Sequence, residues 1–188
     1  ITNLGIGYRK LNDDKSSMFG INSFLDLDIE GHKRGSVGFE AKGAMLDVTA
    51  NSYAKLTNQK VVDGTKEQVL SGHEINLASQ FPYMPWVTIN WQNYSWEKEK
   101  ADFNTEGNKL SLEAVLSPTV QFDIAGDFSD NSGVEDEYTY KLSFVYPPKE
   151  NKKTLQDGFI SDLAFEKANV EEKLKEKVRR SNNLAVEI

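Results

Sequence analysis

From residue 2 to residue 146 the chain repeats one pattern: stretches about ten residues long in which apolar and polar side chains alternate, joined alternately by a short connection and a long one. A period of two belongs to β-strands, whose successive side chains point to opposite faces. The stretch 17–29 puts Phe19, Ile21, Ser23, Leu25, Leu27 and Ile29 on one face and Gly20, Asn22, Phe24, Asp26 and Asp28 on the other. In 45–57, Leu46, Val48, Ala50, Ala54 and Leu56 oppose Asp47, Thr49, Asn51, Tyr53 and Lys55; in 119–128, Val120, Phe122, Ile124 and Phe128 oppose Gln121, Asp123 and Asp127. One face is apolar throughout, and the other carries both signs of charge.

About nine such strands are expected, over 2–11, 17–29, 34–43, 45–57, 73–81, 86–96, 108–117, 119–128 and 137–146. The connections at Lys42-Gly43-Ala44, Pro82-Tyr83-Met84-Pro85 and Ser117-Pro118 are tight, whereas 56–72, 97–107 and 129–137 are long and charged. Tilted strands of about ten residues span the hydrocarbon of a bilayer, and outer-membrane barrels keep short turns on the periplasmic side and longer loops outside. The fold class expected is therefore all-β, a transmembrane antiparallel β-barrel. Its lipid-facing set would be Phe19, Ile21, Leu25, Leu27, Val48, Val120, Phe122, Ile124, Leu142 and Phe144. Its lumen would be lined by Arg9, Asn22, Asp26, Asp28, Glu40, Lys42, Asp47, Asn51, Tyr53, Lys55, Asp123 and Lys141. Aromatic girdles are expected from Phe81, Tyr83, Trp86 and Tyr146 near the tight turns and from Tyr94, Trp96, Phe128 and Tyr138 near the long loops.

Composition narrows the rivals. A mean hydropathy of -0.55 resembles that of a soluble protein, but a barrel wall averages its two faces and looks ordinary on that scale. No run of about eighteen apolar residues exists to form a membrane helix. The chain has no Cys, hence neither a disulfide framework nor a thiolate metal site. Its net charge of -7 disfavours nucleic acid as a partner. No signal peptide stands at Ile1, so the chain reads as a processed product or a fragment. A first strand that starts on the long-loop side calls for one or three further strands upstream, which would make the total even and leave no open edge in lipid.

Beyond the aromatic strand of Tyr138, Tyr140, Leu142, Phe144 and Tyr146, the chain continues past Pro147-Pro148. The expected divisions are a barrel over 1–148, a linker over 149–156, a helix over 157–180 and an exit segment over 181–188. The helix would take Asp157 or Ser161 as N-cap and end in Lys175, Lys177, Arg179 and Arg180, matching its dipole. Ile160, Leu163, Ala164, Ala168 and Leu174 make only a thin apolar stripe among Glu166, Lys167, Glu171, Glu172, Lys173 and Glu176. Such a helix suits a charged lumen or, equally, a solvated periplasmic tail.

The candidate chemical sites are outweighed by simpler readings. Asp26, Asp28 and Glu30 before Gly31 resemble the opening of a calcium loop but lack its closing bidentate Glu, which favours lumenal ion pairing. The acids Asp127, Asp130, Glu135, Asp136 and Glu137 suit a solvated loop better than a divalent cation or lipopolysaccharide bridge. His32 and His73 stand near no nucleophile motif, and Asp47 with Asp123 suits ion pairs better than hydrolysis, so no enzyme and no cofactor are expected. Trp86 and Trp96 share a strand face and Trp91 takes the other, for packing and girdle roles rather than a sugar or base platform.

Taken in order, Leu4-Gly5-Ile6-Gly7-Tyr8-Arg9, Phe24-Leu25-Asp26-Leu27-Asp28, Gly31-His32-Lys33-Arg34, Gly38-Phe39-Glu40-Ala41, Ala50-Asn51-Ser52-Tyr53, Trp91-Gln92-Asn93-Tyr94 and Val178 to Ile188 resemble the inverse autotransporter β-domain of intimin- and invasin-type adhesins. The resemblance implies a twelve-stranded barrel, a plug helix carrying Ile160, Leu163, Glu171 and Leu174 in the lumen, and a segment running outward to an adhesive passenger of immunoglobulin-like domains. It implies as partners the lipid bilayer and lipopolysaccharide, the outer-membrane assembly machinery, and the chain's own passenger, which would bind a receptor. The Glu- and Lys-rich 157–178 region and the long 58–72 loop depart from what the resemblance leads one to expect. The rival functions are a porin-like diffusion channel with a periplasmic tail and, more distantly, a soluble ligand-binding barrel.

Overall fold

The computed structural model describes residues 1–99, 104–131, 134–149 and 152–188. Parts of the 97–107 and 129–137 loops and of the 149–156 linker lie outside them.

Strands β1 (Thr2–Leu11), β2 (Ser17–Leu27), β3 (Lys33–Gly43), β4 (Leu46–Lys55), β7 (Ser71–Phe81), β8 (Met84–Glu97), β9 (Thr105–Ser117), β10 (Val120–Ser129) and β11 (Glu137–Phe144) form one nine-stranded sheet in which sequence neighbours pair antiparallel. The insertion between β4 and β7 forms a hairpin, β5 (Lys60–Val62) and β6 (Thr65–Val69), turned by Asp63 and Gly64, both at positive φ. Strand β12 (Val186–Glu187) joins that hairpin by pairing with β6. The sequence pattern, which shows 56–72 only as a long loop, does not reveal this small sheet.

The period-two pattern translates directly into burial. Along β2, Phe19 and Ile21 are 50% and 62% exposed while Met18, Gly20, Asn22 and Asp26 are buried. Ladder register carries this parity across the sheet: Asp26 faces Arg34, Arg34 faces Lys55, and Asp123 faces both Glu113 and Lys141. Of the expected lipid-facing set, Phe19, Ile21, Ile124, Leu142 and Phe144 are exposed, and Leu25, Leu27, Val48, Val120 and Phe122 are intermediate. The buried side is the inner face, and its burial comes mostly from polar and charged residues. The sheet is not closed on itself: β1 and β11 are its two edge strands.

What covers the inner face is residues 152–188, and they are not a helix. Among the described residues this region holds only two short 3₁₀ turns, Leu155–Asp157 and Glu172–Lys175, in place of the helix expected over 157–180. The reason is hydrogen-bond supply. A helix satisfies its own backbone, whereas here the sheet's turns and inner side chains offer partners to the backbone at many points, and an extended chain meets more of them. The charges that ring a helical projection also find counter-ions on different walls only when the chain is drawn out. Of the expected plug residues, Ile160 and Leu163 are 70% and 61% exposed, Glu171 is exposed beside Lys15, and Leu174 is half-buried. Val170, at 3%, is the apolar anchor.

Candidate functional site

The site is the contact between this C-terminal segment and the inner face, which is built in three tiers from the tight-turn end of the sheet to the long-loop end. At the turn end, the Lys149 amide donates to the Pro118 carbonyl at 2.8 Å. Ser161 N donates to Tyr83 O, and Tyr83 N to Ala164 O, both at 2.8 Å. Trp86 Nε1 donates to the Phe159 carbonyl at 2.9 Å, with the two rings 5.6 Å apart. Ala168 N reaches Ala44 O at 3.2 Å, and Lys173 Nζ bridges Gly43 O at 2.7 Å and the Asp47 carboxylate at 2.6 Å.

The middle tier is a set of buried charges. The Arg9 guanidinium takes both oxygens of Glu40, at 3.1 and 2.9 Å, and spends its remaining nitrogen on the carbonyls of Leu174 and Glu176 at 2.8 and 2.6 Å. Lys42 lies 3.1 Å from Glu176, which also accepts from Lys152 at 2.6 Å. Arg179 makes a two-pronged pair with Glu113, one arm at 2.8 Å. Arg180 meets Asp26, which also accepts from Arg34 at 2.8 and 3.0 Å and from Asn3 at 2.7 Å. Both guanidinium groups lie over aromatic rings: Arg34 is 4.3 Å from the Tyr53 centroid and 5.5 Å from Trp96, and Arg180 is 4.4 Å from Phe24. Glu74 accepts from Asn51, Tyr53 OH, Gln92 and the amide and hydroxyl of Ser181, all at 3.0 Å or less. Charges this deeply buried are tolerated because each has a hydrogen-bonded partner.

At the loop end, Asn3 donates to Asn182 O at 3.2 Å and Leu70 N to Ala185 O at 2.9 Å; then Val186 pairs with Val69 and Glu187 with Gln68. Leu70, Tyr53 and Trp96 form a small apolar cluster against which Ala185 packs. The segment thus crosses the full height of the sheet, entering among the tight turns and leaving among the long loops. A polar cavity of about 620 Å³ remains between residues 178–185 and the wall formed by Asn76, Asn90, Gln92, Lys109 and Ser111.

Of the residues expected to line a lumen, Arg9, Lys42, Asp47, Asn51, Tyr53 and Asp26 meet the segment directly, Glu40 holds Arg9 against it, and Asn22 donates to Glu40 at 3.5 Å. Asp123 sits with Gln121 beside β11, and Lys141 is exposed on that edge strand. Lys55 pairs with Glu99 at the loop rim. Asp28 is not on the inner wall: it lies in the β2–β3 loop, where its oxygens accept from the His32 amide at 2.7 Å and ring at 2.9 Å. Burial works against its charge, but these hydrogen bonds and the His32 ring hold the carboxyl below the usual range. The calcium-loop reading fails on geometry, since Asp26 is committed to the arginines inside. Ligand atoms of Asp28, Glu30 and His32 do lie within 4.8 Å of one another, yet both Asp28 oxygens already accept from His32. His73 is exposed on β7, away from His32.

The girdle expectation needs correction at three aromatics. Trp86 and Trp96 are each 8% exposed, and Tyr94 bonds Asp127 at 2.7 Å; all three point inward to satisfy their polar atoms or stack on charge. Phe128 and Tyr138 stay outside as an edge-to-face pair. Sequence reasoning passed over Arg34, Glu74 and Glu113. Their signal was present, because each shares strand parity with a recognised inner residue or pairs with one in register.

Two comparisons bear on this arrangement. Residues 1–182 match the model of a family described as the inverse autotransporter, beta-domain. A chain solved in work on the mechanism of in-meso crystallization of membrane proteins superposes with a TM-score of 0.77 at 20% identity, over 98% of this chain and 79% of that one, a likeness of fold.

Proposed function

Because the chain belongs to the inverse autotransporter β-domain family, whose members are outer-membrane barrels of Gram-negative bacteria, we propose that it anchors and exports an intimin- or invasin-like passenger attached beyond residue 188. The observation that carries this reading is the course of residues 168–187, from Ala44 O at the turn end to Val69 at the loop end. A passenger joined there would start at the outer mouth, with its tether held in the pore. Further strands between the β1 and β11 edges would close the wall to the family's twelve, with the apolar face in lipid and the ion pairs in the lumen. The role requires no bond chemistry: lipid burial holds the wall, and the paired charges hold the tether. Lipopolysaccharide at the outer rim, the assembly machinery at the β11 edge and a receptor for the passenger are the partners that go with it.

Planar-bilayer conductance of the full-length protein tests this. Low conductance should rise to that of an open pore when the segment from Asp157 onward is deleted, and passenger epitopes should be accessible to protease on intact cells. A porin-like channel with a periplasmic tail would conduct alike with and without the segment, and that result would refute the proposal.

A further inference from the structure

Three carboxylates on three strands, Glu113 on β9, Asp26 on β2 and Glu74 on β7, meet three consecutive residues of the crossing segment, Arg179, Arg180 and Ser181. We infer that these carboxylates form a recognition site for the Arg-Arg-Ser sequence that arrests the exported chain in a single register. The inference rests on the export reading and adds where export stops.

The geometry divides the three side chains between two parts of the wall. The backbone bends at Arg180, and Arg179 and Ser181 meet β9 and β7 while Arg180 meets β2. Glu113 and Glu74 lie on the same part of the wall, one strand apart on either side of β8, and Asp26 lies across from them on β2. A slip of one residue therefore cannot be absorbed. Moved one way, Val178 would face Glu113; moved the other, Ser181 would face Asp26 and leave Arg179 without its partner. Beyond residue 180 the segment reads Ser-Asn-Asn-Leu-Ala-Val-Glu-Ile and contains no cation to substitute. Lys177, on the other side, lacks the planar fork that Glu113 engages with both oxygens. The rings of Phe24 and Tyr53, 4.4 and 5.7 Å from Arg180, favour a guanidinium over an ammonium in the same way. Each slip of one residue thus breaks the two-pronged Arg179–Glu113 pair and takes Arg180 from Asp26, which keeps only Arg34, so the matched register is the favoured resting position.

Residues 1–188 contain no Cys, so register can be read by cross-linking in the full-length protein in cell envelopes, with any Cys elsewhere in it replaced by Ser. Val69→Cys is combined in turn with a Cys at each of positions 184–188. In the unaltered background the disulfide should concentrate at Val186→Cys, the register partner of Val69. With Arg179→Lys and Arg180→Lys together, which retain charge and leave every residue of the wall unaltered, the share at 186 relative to its neighbours should fall roughly tenfold, the scale of one lost charge-assisted hydrogen bond. Neutralising the wall with Asp26→Asn, Glu74→Gln and Glu113→Gln should spread it likewise. A map that stays centred on 186 in the Arg-to-Lys variant overturns the proposal, because pairing with β6 would then set register alone. Protease access to the passenger on intact cells, scored in the unaltered background, reports separately on export itself.

Discussion

The outward face of β2 allows the membrane assignment to be tested by depth. Strand β2 has 11 residues, Ser17–Leu27, and its midpoint is Asn22. At about 3.3 Å per residue and a tilt near 45°, each residue advances about 2.3 Å along the bilayer normal, so 11 residues cover about 25 Å, the height of the apolar band. Ile21, 62% exposed and one residue from the midpoint, would sit about 2 Å from the bilayer centre; Leu27, five residues from it, would sit about 12 Å away, at the interface. Ile21→Arg in the full-length barrel should therefore cost about 2–4 kcal/mol of folding stability in lipid, and Leu27→Arg about 0–1 kcal/mol. Ile124, fifth in the ten-residue β10, should behave like Ile21. Equilibrium denaturant titrations in phospholipid vesicles, with folding followed by tryptophan fluorescence, give the three values. Equal costs at Ile21 and Leu27, or a harmless Ile21→Arg, would refute the claim that this face meets acyl chains. A soluble sandwich or barrel has no reason to show a gradient along a strand.

Two further outcomes follow from the interior and the loops. Asp26→Ala leaves Arg34 and Arg180, both almost wholly buried, without their shared counter-ion and should lower stability by about 3–5 kcal/mol in the same titration; a loss below about 1 kcal/mol would mean that the triad is not charged or not closed. Because the carboxyl of Asp28 is held below its ordinary value, its hold on the β2–β3 loop is fully present above the usual carboxylate range near 4 and is lost as pH falls through the lower folded value. The His32 amide resonance, titrated by NMR, should shift in that acidic window, and Asp28→Asn should abolish the shift; movement centred at or above the ordinary value would contradict the assigned direction.

Much of the wall was legible because its determinants are local. A strand half in apolar surroundings must alternate, so Phe19, Ile21 and Ile124 separate from Asn22, Asp26 and Asp123 by counting in twos, and antiparallel meander pairing then carries the parity from strand to strand. Reading connection lengths set the two ends of the sheet. The same reasoning failed at 157–180, where propensity and cap residues pointed to a helix. Trp86 and Trp96 were misassigned for a related reason: an aromatic near a strand end suits an interface equally well in either direction, and parity alone does not reveal that Phe159 and Arg34 wait inside.

From the sequence by itself come the period-two strands, their order, the chemistry of each face and the family to which the motifs point. Only the tertiary structure decides that the last fifth of the chain is an extended strap rather than a helix, that β6 captures Val186–Glu187, and that Glu113, Asp26 and Glu74 divide Arg179, Arg180 and Ser181 among them. The physical reason is that alternation is imposed by each residue's immediate surroundings. The path of the strap is chosen by hydrogen bonds and ion pairs between residues more than a hundred positions apart, such as Asp26 with Arg180, and these exist only once the wall has formed.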